Sequence, residues 1–393
     1  MTATRECDVL IFGGGIAGLW ALDALRRAGH GALLVENAAL GRGQTIPSQA
    51  IVHGGGKYAL RGVGDLEAVK AISGMPARWR ACFEGKGEPD LREARIVSPQ
   101  CLLWVPRSGF FGDLAAKGLM SIVVGAGMLA TKPVEVPEAE WPAALRASAL
   151  KVWSMAEPVI DTASVLAALA KRNRGHVRLV KRVEFRGGEA VLDGVAVKAG
   201  AMVLAAGAGN EDLLAALGDA PGRMQRRPLT MAMLRGDLPD IWAHCVVGGK
   251  THLTVTTARD KSGRAVWQVG GEIAERGAGR KDLEVFRAEA AAEIRRFFPA
   301  LPAKGLEIAT YAVDRAEAAT AGARRPSGVH VEKVRDNILV AWPTKLSLAP
   351  LLADELVAQL GKSQGRFDPQ LSDGPVPVVS TPPWEEAPWF PAP

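Results

Sequence analysis

The hydrophobic and polar positions are most clearly patterned in the first 36 residues. A short apolar run ending at Phe12 is typical of a parallel strand buried on both faces. A group of glycines follows, and the stretch from Leu19 to Ala28 predicts a helix that ends at the next glycines. A second apolar run, Ala32 to Val35, finishes on Glu36. Strand, glycine turn, helix and strand follow one another in the order that a dinucleotide site requires.

The glycine turn has the spacing GxGxxG, and each glycine has a separate physical role. We expect Gly13 to permit the tight turn and Gly15 to let the main chain approach a pyrophosphate. Gly18 would allow the helix to pack closely on the strand. Glu36 is positioned to accept hydrogen bonds from a ribose. The alternative is an ordinary βαβ unit with a loose turn, because glycine-rich turns are common.

The rest of the chain alternates between two kinds of pattern. Thr162 is the expected N-cap of a helix over residues 163–171, and the apolar run 201–207 predicts another buried strand. Between residues 226 and 271, apolar positions alternate with polar and turn residues, which predicts an antiparallel sheet. Residues 282–298 have the spacing of an amphipathic helix.

Length and charge limit the class of protein. At 393 residues the chain is long enough for two domains, and 48% apolar with 23% charged residues is ordinary for a globular protein. The net charge is +6, but the basic residues are dispersed along the chain. This distribution favours small anionic molecules or lipid headgroups as partners and gives no indication of nucleic-acid binding.

Cysteine usage and the absence of a secretory signal predict a cytoplasmic protein. The four cysteines have neither a disulfide framework nor metal-ligand spacing, so no metal site is expected. The most apolar stretch, residues 119–130, is too short to span a bilayer. We expect it to be a buried core segment; the alternative is weak contact with the inner face of the membrane.

A resemblance to a known family is carried by residues 41–60, GRGQTIPSQAIVHGGGKYAL. Small polar residues lead there into His-Gly-Gly, and a basic residue and a tyrosine follow. The block resembles the flavin-contacting segment of the D-amino-acid-oxidase superfamily, and most closely that of its glycerol-3-phosphate dehydrogenase/oxidase branch. The resemblance implies that the dinucleotide is FAD. A nicotinamide-dependent dehydrogenase, which would be colourless, has no reason to carry this block.

The implied fold class is α/β, with a discontinuous Rossmann-like FAD-binding domain and an inserted antiparallel-β substrate domain. The FAD-binding domain is predicted to comprise residues 1–75, 150–225 and 310–365. The substrate or cap domain is predicted to comprise residues 76–149 and 226–309, and the proline-rich tail residues 366–393. The tail is expected to wrap the surface or to be disordered.

Sixteen residues are expected to bind FAD, on the basis of the glycine turn and of segments similar to the family's flavin-proximal ones. They are Gly13, Gly15, Ile16, Ala17, Gly18, Glu36, Asn37, Thr45, Ser48, Gln49, Val183, Ala206, Gly207, Thr344, Lys345 and Leu346.

His53 is the first candidate for chemistry. Its imidazole would take a proton from a substrate hydroxyl or amine during hydride transfer, or act as an electrostatic partner of the flavin. The alternative is a structural histidine that holds the following glycine turn. Tyr58 would place a hydroxyl in the cavity or pack against the sheet. Lys57, which stands for the basic residue of the family block, would assist in binding an anion.

Arg315 and Lys345 are the candidates for binding negative charge. The segment around Arg315 resembles the one that supplies the family's anion-binding arginine; a salt bridge with Asp314 or Glu317 is the alternative. Lys345 lies in a segment that resembles the family's Gly-Gly-Lys-Leu-Thr turn, with Trp342-Pro343 in place of the glycines. A helix beginning there would direct N–H groups toward the reduced flavin, and Lys345 would add a full charge.

The expected activity is FAD-dependent oxidation of a CH–OH or CH–NH group in a small anionic substrate. A 2-hydroxy acid, a polyol phosphate and an amino acid all fit, and either oxygen or a quinone would reoxidise the flavin. The alternative is a flavin-binding interaction protein with vestigial redox activity, which the Trp342-Pro343 departure favours.

Overall fold

The chain folds around two β-sheets that meet at a large cavity. The computed structural model describes residues 4–55, 72–107, 132–247, 250–324, 326 and 328–393. Within these residues the first sheet has eight strands, the second has nine, and two further strands form a separate pair. The predicted α/β class is confirmed.

The strands of the described residues are, in chain order, β1 (Arg5–Phe12), β2 (Ala32–Glu36), β3 (Ile96–Ser98), β4 (Cys101–Pro106), β5 (Val134–Glu135), β6 (Ala149–Met155), β7 (Val159–Ile160), β8 (Val177–Leu179), β9 (Val183–Arg186), β10 (Glu189–Leu192), β11 (Val195–Leu204), β12 (Met224–Gly236), β13 (Trp242–Val247), β14 (Lys250–Arg259), β15 (Ala265–Gly271), β16 (Glu307–Ala318), β17 (His330–Arg335), β18 (Ile338–Trp342) and β19 (Phe390–Pro391).

The α-helices of the same residues are α1 (Ile16–Arg27), α2 (Met75–Phe83), α3 (Ala143–Arg146), α4 (Thr162–Arg172), α5 (Asn210–Ala216), α6 (Glu272–Arg276), α7 (Leu283–Phe297), α8 (Ala349–Leu360) and α9 (Pro383–Glu386). None of them combines the length and the apolarity that crossing a lipid bilayer requires.

The first sheet has a parallel centre, in the order β17-β18-β11-β1-β2-β8. β1 pairs in parallel with β2 and β11, and β11 pairs in parallel with β18. β9 and β10 extend it as an antiparallel hairpin alongside β11. Helices α1 and α8 pack against each other over one face, where Trp20, Leu22 and Leu352 are fully buried. Parallel strands covered in this way read as continuous apolar runs, which explains why β1 and β2 are evident in the sequence.

The second sheet is antiparallel except where β13 pairs with β4, and its order is β19-β16-β12-β15-β14-β13-β4-β6-β5. Helix α7 packs on it through Phe286, Ile294 and Phe297, which share a core with Trp104 and Trp267. The predicted amphipathic helix is therefore present, and Asp282 caps it by accepting hydrogen bonds from two backbone N–H groups. β6 and β16 belong to this sheet, although the predicted boundaries assign much of both to the FAD-binding domain. Those boundaries remain a proposal.

One local expectation differs from the structure, and one of the two alternatives for the tail agrees with it. The N-cap of α4 is Asp161, whose carboxylate accepts from the Ser164 N–H, and Thr162 is already helical. An aspartate is as good a cap as a threonine, so the sequence did not distinguish the two positions. The tail is ordered: it contributes β19 and α9 and runs along both sheets. The predicted core segment 119–130 lies outside the described residues.

Candidate active site

A cavity with a volume of about 1610 Å³ lies at the carboxyl ends of the parallel strands. Its wall includes Phe12 at the end of β1, Glu36 at the end of β2 and Trp342 at the end of β18. The opposite wall comes from β12, β14, β15 and β16 of the second sheet. Pockets for one small ligand are typically about 300–1,000 Å³. This cavity therefore has room for a dinucleotide and a substrate together.

The glycine turn is built by close backbone packing. Gly13 has φ +111°, and a Cβ there would lie 2.5 Å from the Cα of Ala206. A Cβ on Gly18 would lie 2.0 Å from the carbonyl oxygen of Gly13, so the helix and the turn approach as closely as glycine permits. Gly18 is behind the turn and does not line the cavity, whereas Gly13, Gly15, Ile16 and Ala17 do.

Glu36 and Thr45 hold the backbone of this turn. The Glu36 carboxylate accepts hydrogen bonds from the N–H groups of Gly14 (2.7 Å), Asn37 (3.0 Å) and Ala38 (3.0 Å). The Thr45 hydroxyl accepts one from the N–H of Ile16 at 3.1 Å. Both side chains line the cavity, as does Asn37, but part of their hydrogen-bonding capacity organises the protein itself. The hydrogen bond from Glu36 to a ribose remains a prediction.

Residues 44–49 cross from the first sheet to the second and are fixed there by hydrogen bonds. Gln44 accepts from the N–H of Ala316 at 3.1 Å, and the amide of Gln49 donates to the carbonyls of Thr254 (2.8 Å) and Gln268 (3.0 Å). The Tyr311 hydroxyl donates to the Pro47 carbonyl at 2.7 Å. Burial raises the pKa of Tyr311, so this hydroxyl stays protonated as a donor.

The segment that follows β18 forms another part of the wall. Trp342 is buried, and its indole N–H donates to the carbonyl of Gly207 at 3.2 Å, while Thr344 has φ +64°. Thr344, Lys345 and Leu346 line the cavity. Helix α8 begins at Ala349, after a 3₁₀ turn over Leu346–Leu348, which is later than the resemblance implies. The bulky tryptophan in the glycine position is accommodated in a hydrophobic core, where its ring centroid lies 5.9 Å from that of His330 on β17.

His53 lies in a cluster of buried polar residues. Its Nδ1 is 3.2 Å from Oε2 of Glu157, and Oε1 of Glu157 accepts from the Gly54 N–H at 2.7 Å. The His244 ring stacks on the His53 ring with centroids 5.6 Å apart, and its Nδ1 is 2.8 Å from the Thr254 hydroxyl. His53 is partly exposed to the cavity, whereas Glu157 is 2% and His244 0% exposed.

The cluster has a composition that also suits a divalent metal. The potential ligand atoms of His53, Glu157 and His244 all lie within 4.8 Å of one another. The Glu157 carboxylate, however, already accepts from His53 and from the backbone of Gly54. A histidine that is oriented by a buried carboxylate is also the usual arrangement of a catalytic acid–base group, so the cluster suits that role as well as a metal site.

Arg315 lines the cavity on the side of the second sheet. Its Nη2 is 3.3 Å from Oε1 of Glu275 on α6, and the Arg315 side chain is 23% exposed. The two salt bridges considered for it from the sequence are absent among the described residues. Asp314 pairs with Arg226 at 3.3 Å, and Glu317 pairs with Arg227.

Most of the predicted site residues meet in this one cavity. Ser48, Gln49, Val183, Ala206 and Gly207 line it, in addition to those already described. Lys57 and Tyr58 lie outside the described residues. Glu157, His244 and Glu275 were not predicted, because each meets the site through long-range packing and none lies in a recognisable motif.

Comparisons with known proteins identify the family. A family model described as FAD dependent oxidoreductase (DAO) matches residues 8–358. The chain belongs to the FAD-dependent oxidoreductase (DAO) family. It is 39% identical, over 401 residues, to the probable FAD-dependent oxidoreductase PA4991 of Pseudomonas aeruginosa, covering 98% of this chain and 100% of that one. The enzyme class and the FAD cofactor expected from the sequence are confirmed.

Several solved structures share the fold of this chain. The crystal structure of PA4991 matches with a TM-score of 0.81 and 36% identity over 98% of this chain and 99% of that one. Glycine oxidase from Geobacillus kaustophilus matches at 0.63 with 17% identity, over 93% and 97% of the two chains. L-α-glycerophosphate oxidase from Mycoplasma pneumoniae, whose structure has FAD bound, matches at 0.62 with 12% identity, over 98% and 100%. The last two identities show the fold alone, so the family is confirmed and the glycerol-3-phosphate branch is not.

The cavity of this oxidoreductase fits FAD. Among the described residues, a Cβ on Gly15 would have only the Thr45 hydroxyl within 4 Å, at 3.3 Å, so the turn is open toward the cavity. Ile16 and Ala17 begin α1 there, at a helix end whose N–H groups favour phosphate. The residues of this chain that would hold the cofactor are those of the turn, the segment 44–49 and the segment 342–346.

Proposed function

We propose that this enzyme oxidises the C–N bond of a small amino acid. The observation that carries the proposal is the pairing of Arg315 with Glu275 inside the cavity, at 3.3 Å. An amino acid has a carboxylate and an ammonium group a few ångströms apart, and this pair offers one partner for each. A 2-hydroxy acid or a polyol phosphate has no positive charge for Glu275 to meet.

The Arg315–Glu275 pair is weak enough for a substrate to enter. The side chain of Glu275 is 58% exposed, and ion pairs exposed to this extent contribute only about 0–1 kcal/mol to stability. A carboxylate that engages two N–H groups of the guanidinium gains more than the single contact it replaces. Arg315 would then bind the carboxylate of the substrate, and Glu275 its ammonium group.

His53 would accept the proton that the substrate ammonium must lose. With Nδ1–H donated to Glu157, the remaining ring nitrogen, Nε2, is the proton acceptor. The buried Glu157 fixes the tautomer and the ring orientation, because its second oxygen is itself held by the Gly54 N–H. FAD, when bound, supplies the acceptor for the hydride that leaves the α-carbon.

Lys345 and the segment around it would stabilise negative charge in the cavity. Lys345 and Leu346 line the wall where a 3₁₀ turn leads into α8. A positive charge and helix N–H groups at this point favour an anionic product of hydride transfer. Lys57 remains a candidate for assisting Arg315 in anion binding, and Tyr58 remains one for placing a hydroxyl in the cavity.

The second candidate is oxidation of a 2-hydroxy acid or polyol phosphate. The likeness of residues 41–60 to the glycerol-3-phosphate branch favours it. Among the fold relatives, one is a glycine oxidase and another a glycerophosphate oxidase, so the fold accommodates both chemistries. The charged partner Glu275 makes the amino acid the better fit. The electron acceptor would be oxygen or a quinone, and we propose a cytoplasmic location, with weak contact to the membrane surface as the alternative.

Anaerobic mixing tests the proposal. The FAD-loaded enzyme is mixed with matched pairs, each an amino acid and its 2-hydroxy acid, and with glycerol 3-phosphate, while flavin absorbance is followed. We expect at least one amino acid to bleach the absorbance band of the oxidised flavin, and to do so faster than its 2-hydroxy acid. Reduction by hydroxy acids or glycerol 3-phosphate alone would establish the second candidate, and reduction by no member of a full amino-acid set would refute the first.

A further inference from the structure

The proline-rich tail, residues 366–393, contacts several strands of both sheets in succession. Phe367 forms an antiparallel bridge with Cys7, near the start of β1, at a position where β1 is not yet paired with β2. Farther on, the carbonyl of Pro375 accepts from the Leu179 N–H at 2.7 Å, along the outer edge of β8. The last residues pair with the second sheet, where Phe390 lies opposite Ile308.

Between these points the tail binds the main chain of Leu40 on both sides. The Leu40 N–H donates to the Val378 carbonyl at 2.8 Å, and the Leu40 carbonyl accepts from the Ser380 N–H at 3.0 Å. Leu40 and Val379 therefore form a parallel bridge outside the named strands. Prolines at 375 and 377 favour the extended backbone that such a bridge needs.

Leu40 connects this bridge to the phosphate-binding turn. Its side chain is 1% exposed, and its Cδ2 lies 2.6 Å from the position that a Cβ on Gly14 would take. The next residue, Gly41, donates its N–H to the Gly14 carbonyl at 3.0 Å and lines the cavity with φ +77°. Leu40 and Gly41 thus support the turn from outside, and the tail supports them.

We propose that residues 378–380 are a positioning segment of the FAD site, which holds Leu40 and Gly41 against the glycine turn. The segment itself does not line the cavity. Its effect is to keep the backbone of Gly13–Ala17 in the conformation that receives the pyrophosphate, so FAD affinity depends on the C-terminal tail. The proposal rests on the assignment of that turn to FAD and is independent of the substrate.

The matched test compares two substitutions at one position. Ser380→Pro removes the N–H that the Leu40 carbonyl accepts, whereas Ser380→Ala keeps it and removes only the hydroxyl. Apoprotein of each variant is titrated with FAD, and quenching of flavin fluorescence gives the dissociation constant. Loss of one buried main-chain hydrogen bond predicts a Kd raised about tenfold for Ser380→Pro and unchanged for Ser380→Ala. Equal affinities for the two folded variants would overturn the proposal.

Two shortened chains separate positioning from general stability. A chain ending at Ser380 keeps the Leu40 bridge and loses the contacts with the second sheet; a chain ending at Gly374 loses both. The first should unfold at a lower temperature yet bind FAD within about twofold of the full chain. The second should also lose at least tenfold in FAD affinity. A fall in affinity that simply follows the unfolding temperature across all variants would contradict the proposal.

A measurement on the unaltered enzyme remains decisive if a variant does not fold. In the FAD-loaded full chain, the amides of Leu40 and Ser380 should exchange hydrogen slowly and with similar protection, and removal of FAD should raise both exchange rates together. Rapid exchange at Ser380 in the loaded enzyme, or no change on FAD removal, would show that the tail is not coupled to the site.

Discussion

Nδ1 of His53 lies 3.2 Å from the buried carboxylate of Glu157, a residue 104 positions farther along the chain. The Glu157 carboxylate also accepts a hydrogen bond from the Gly54 N–H at 2.7 Å. One carboxylate therefore binds both the side chain of His53 and the backbone of the next residue. Under the proposed function Glu157 is a positioning residue, which would act on the reaction through the orientation and charge of His53.

Glu157→Gln should reveal that role. The amide is isosteric and can still accept from the Gly54 N–H, but it lacks the negative charge that stabilises an imidazolium. We expect the rate of flavin reduction to fall about 10- to 100-fold, which is less than the roughly 10²–10⁴-fold that a general base supplies, because His53 itself is retained. The acidic limb of the pH–rate profile should also move to lower pH, since neutral imidazole persists there without the carboxylate. Stopped-flow reduction between pH 5 and 9 measures both effects, and a slower rate with an unmoved profile would indicate a purely structural residue.

Arg315 and Glu275 give separate predictions for the two ends of the substrate. Arg315→Met should raise KM for an amino acid about 10- to 100-fold, and Arg315→Lys less, because a charged hydrogen bond is worth about 1.5–3 kcal/mol. Glu275→Gln should weaken binding of the amino acid but not that of its 2-hydroxy analogue, which has no ammonium group. If Glu275→Gln weakens both ligands equally, the ammonium partner has been assigned wrongly.

Gly18→Ala tests the packing of the helix on the turn. The added Cβ would lie 2.0 Å from the Gly13 carbonyl oxygen and 3.2 Å from Leu34, so the backbone must shift. Overpacking of this kind costs about 1–3 kcal/mol or more, and the shift would occur within the phosphate-binding turn. We expect a lower free energy of unfolding and weaker FAD binding. Gly74→Ala is the control, because among the described residues no atom lies within 4 Å of its Cβ position and its φ is −79°.

His252 gives stability a dependence on pH. Its Nε2 is 2.7 Å from Glu293 and its Nδ1 is 2.9 Å from Glu272, and the hydrogen bond with Glu293 raises the pKa of His252 above 6.5. The pKa of Glu293 is lowered below 4.5: burial opposes this shift, but the hydrogen bond with His252 and the charge of Arg276 outweigh it. The histidine contribution is fully present below about pH 6.5 and is lost as the pH rises through the raised value. The glutamate contribution is present above pH 4.5 and is lost on acidification through the lowered value.

Urea unfolding of the wild type and of His252→Gln at several pH values tests the direction in which the His252 contribution to stability changes with pH. The difference in unfolding free energy between them should be largest near pH 6 and should shrink toward pH 9. A difference that grew with pH would mean that the folded state favours the neutral imidazole.

The local parts of this structure could be predicted and the long-range parts could not. β1, the turn, α1 and β2 follow from 32 consecutive residues, Arg5 to Glu36, because buried parallel strands and glycine spacing leave a local signature. Glu157 reaches His53 through the bridge between Ile51 and Val159, and β13, which carries His244, is placed by its pairing with β4. No spacing in the sequence encodes either contact. The tail was expected to wrap the surface or to be disordered; its proline content indicated an extended chain but not that Leu40 would be its partner.

The central claim is that residues near 53 and residues near 345 hold one flavin between them. The most direct measurement is a crystal structure of the FAD-loaded enzyme. We expect isoalloxazine density between the segments 48–53 and 343–346, in van der Waals contact (about 4 Å) with both, and a pyrophosphate at the turn of Gly13 to Ala17. Density for the ring at the Lys181 side of the cavity, away from both segments, would contradict it.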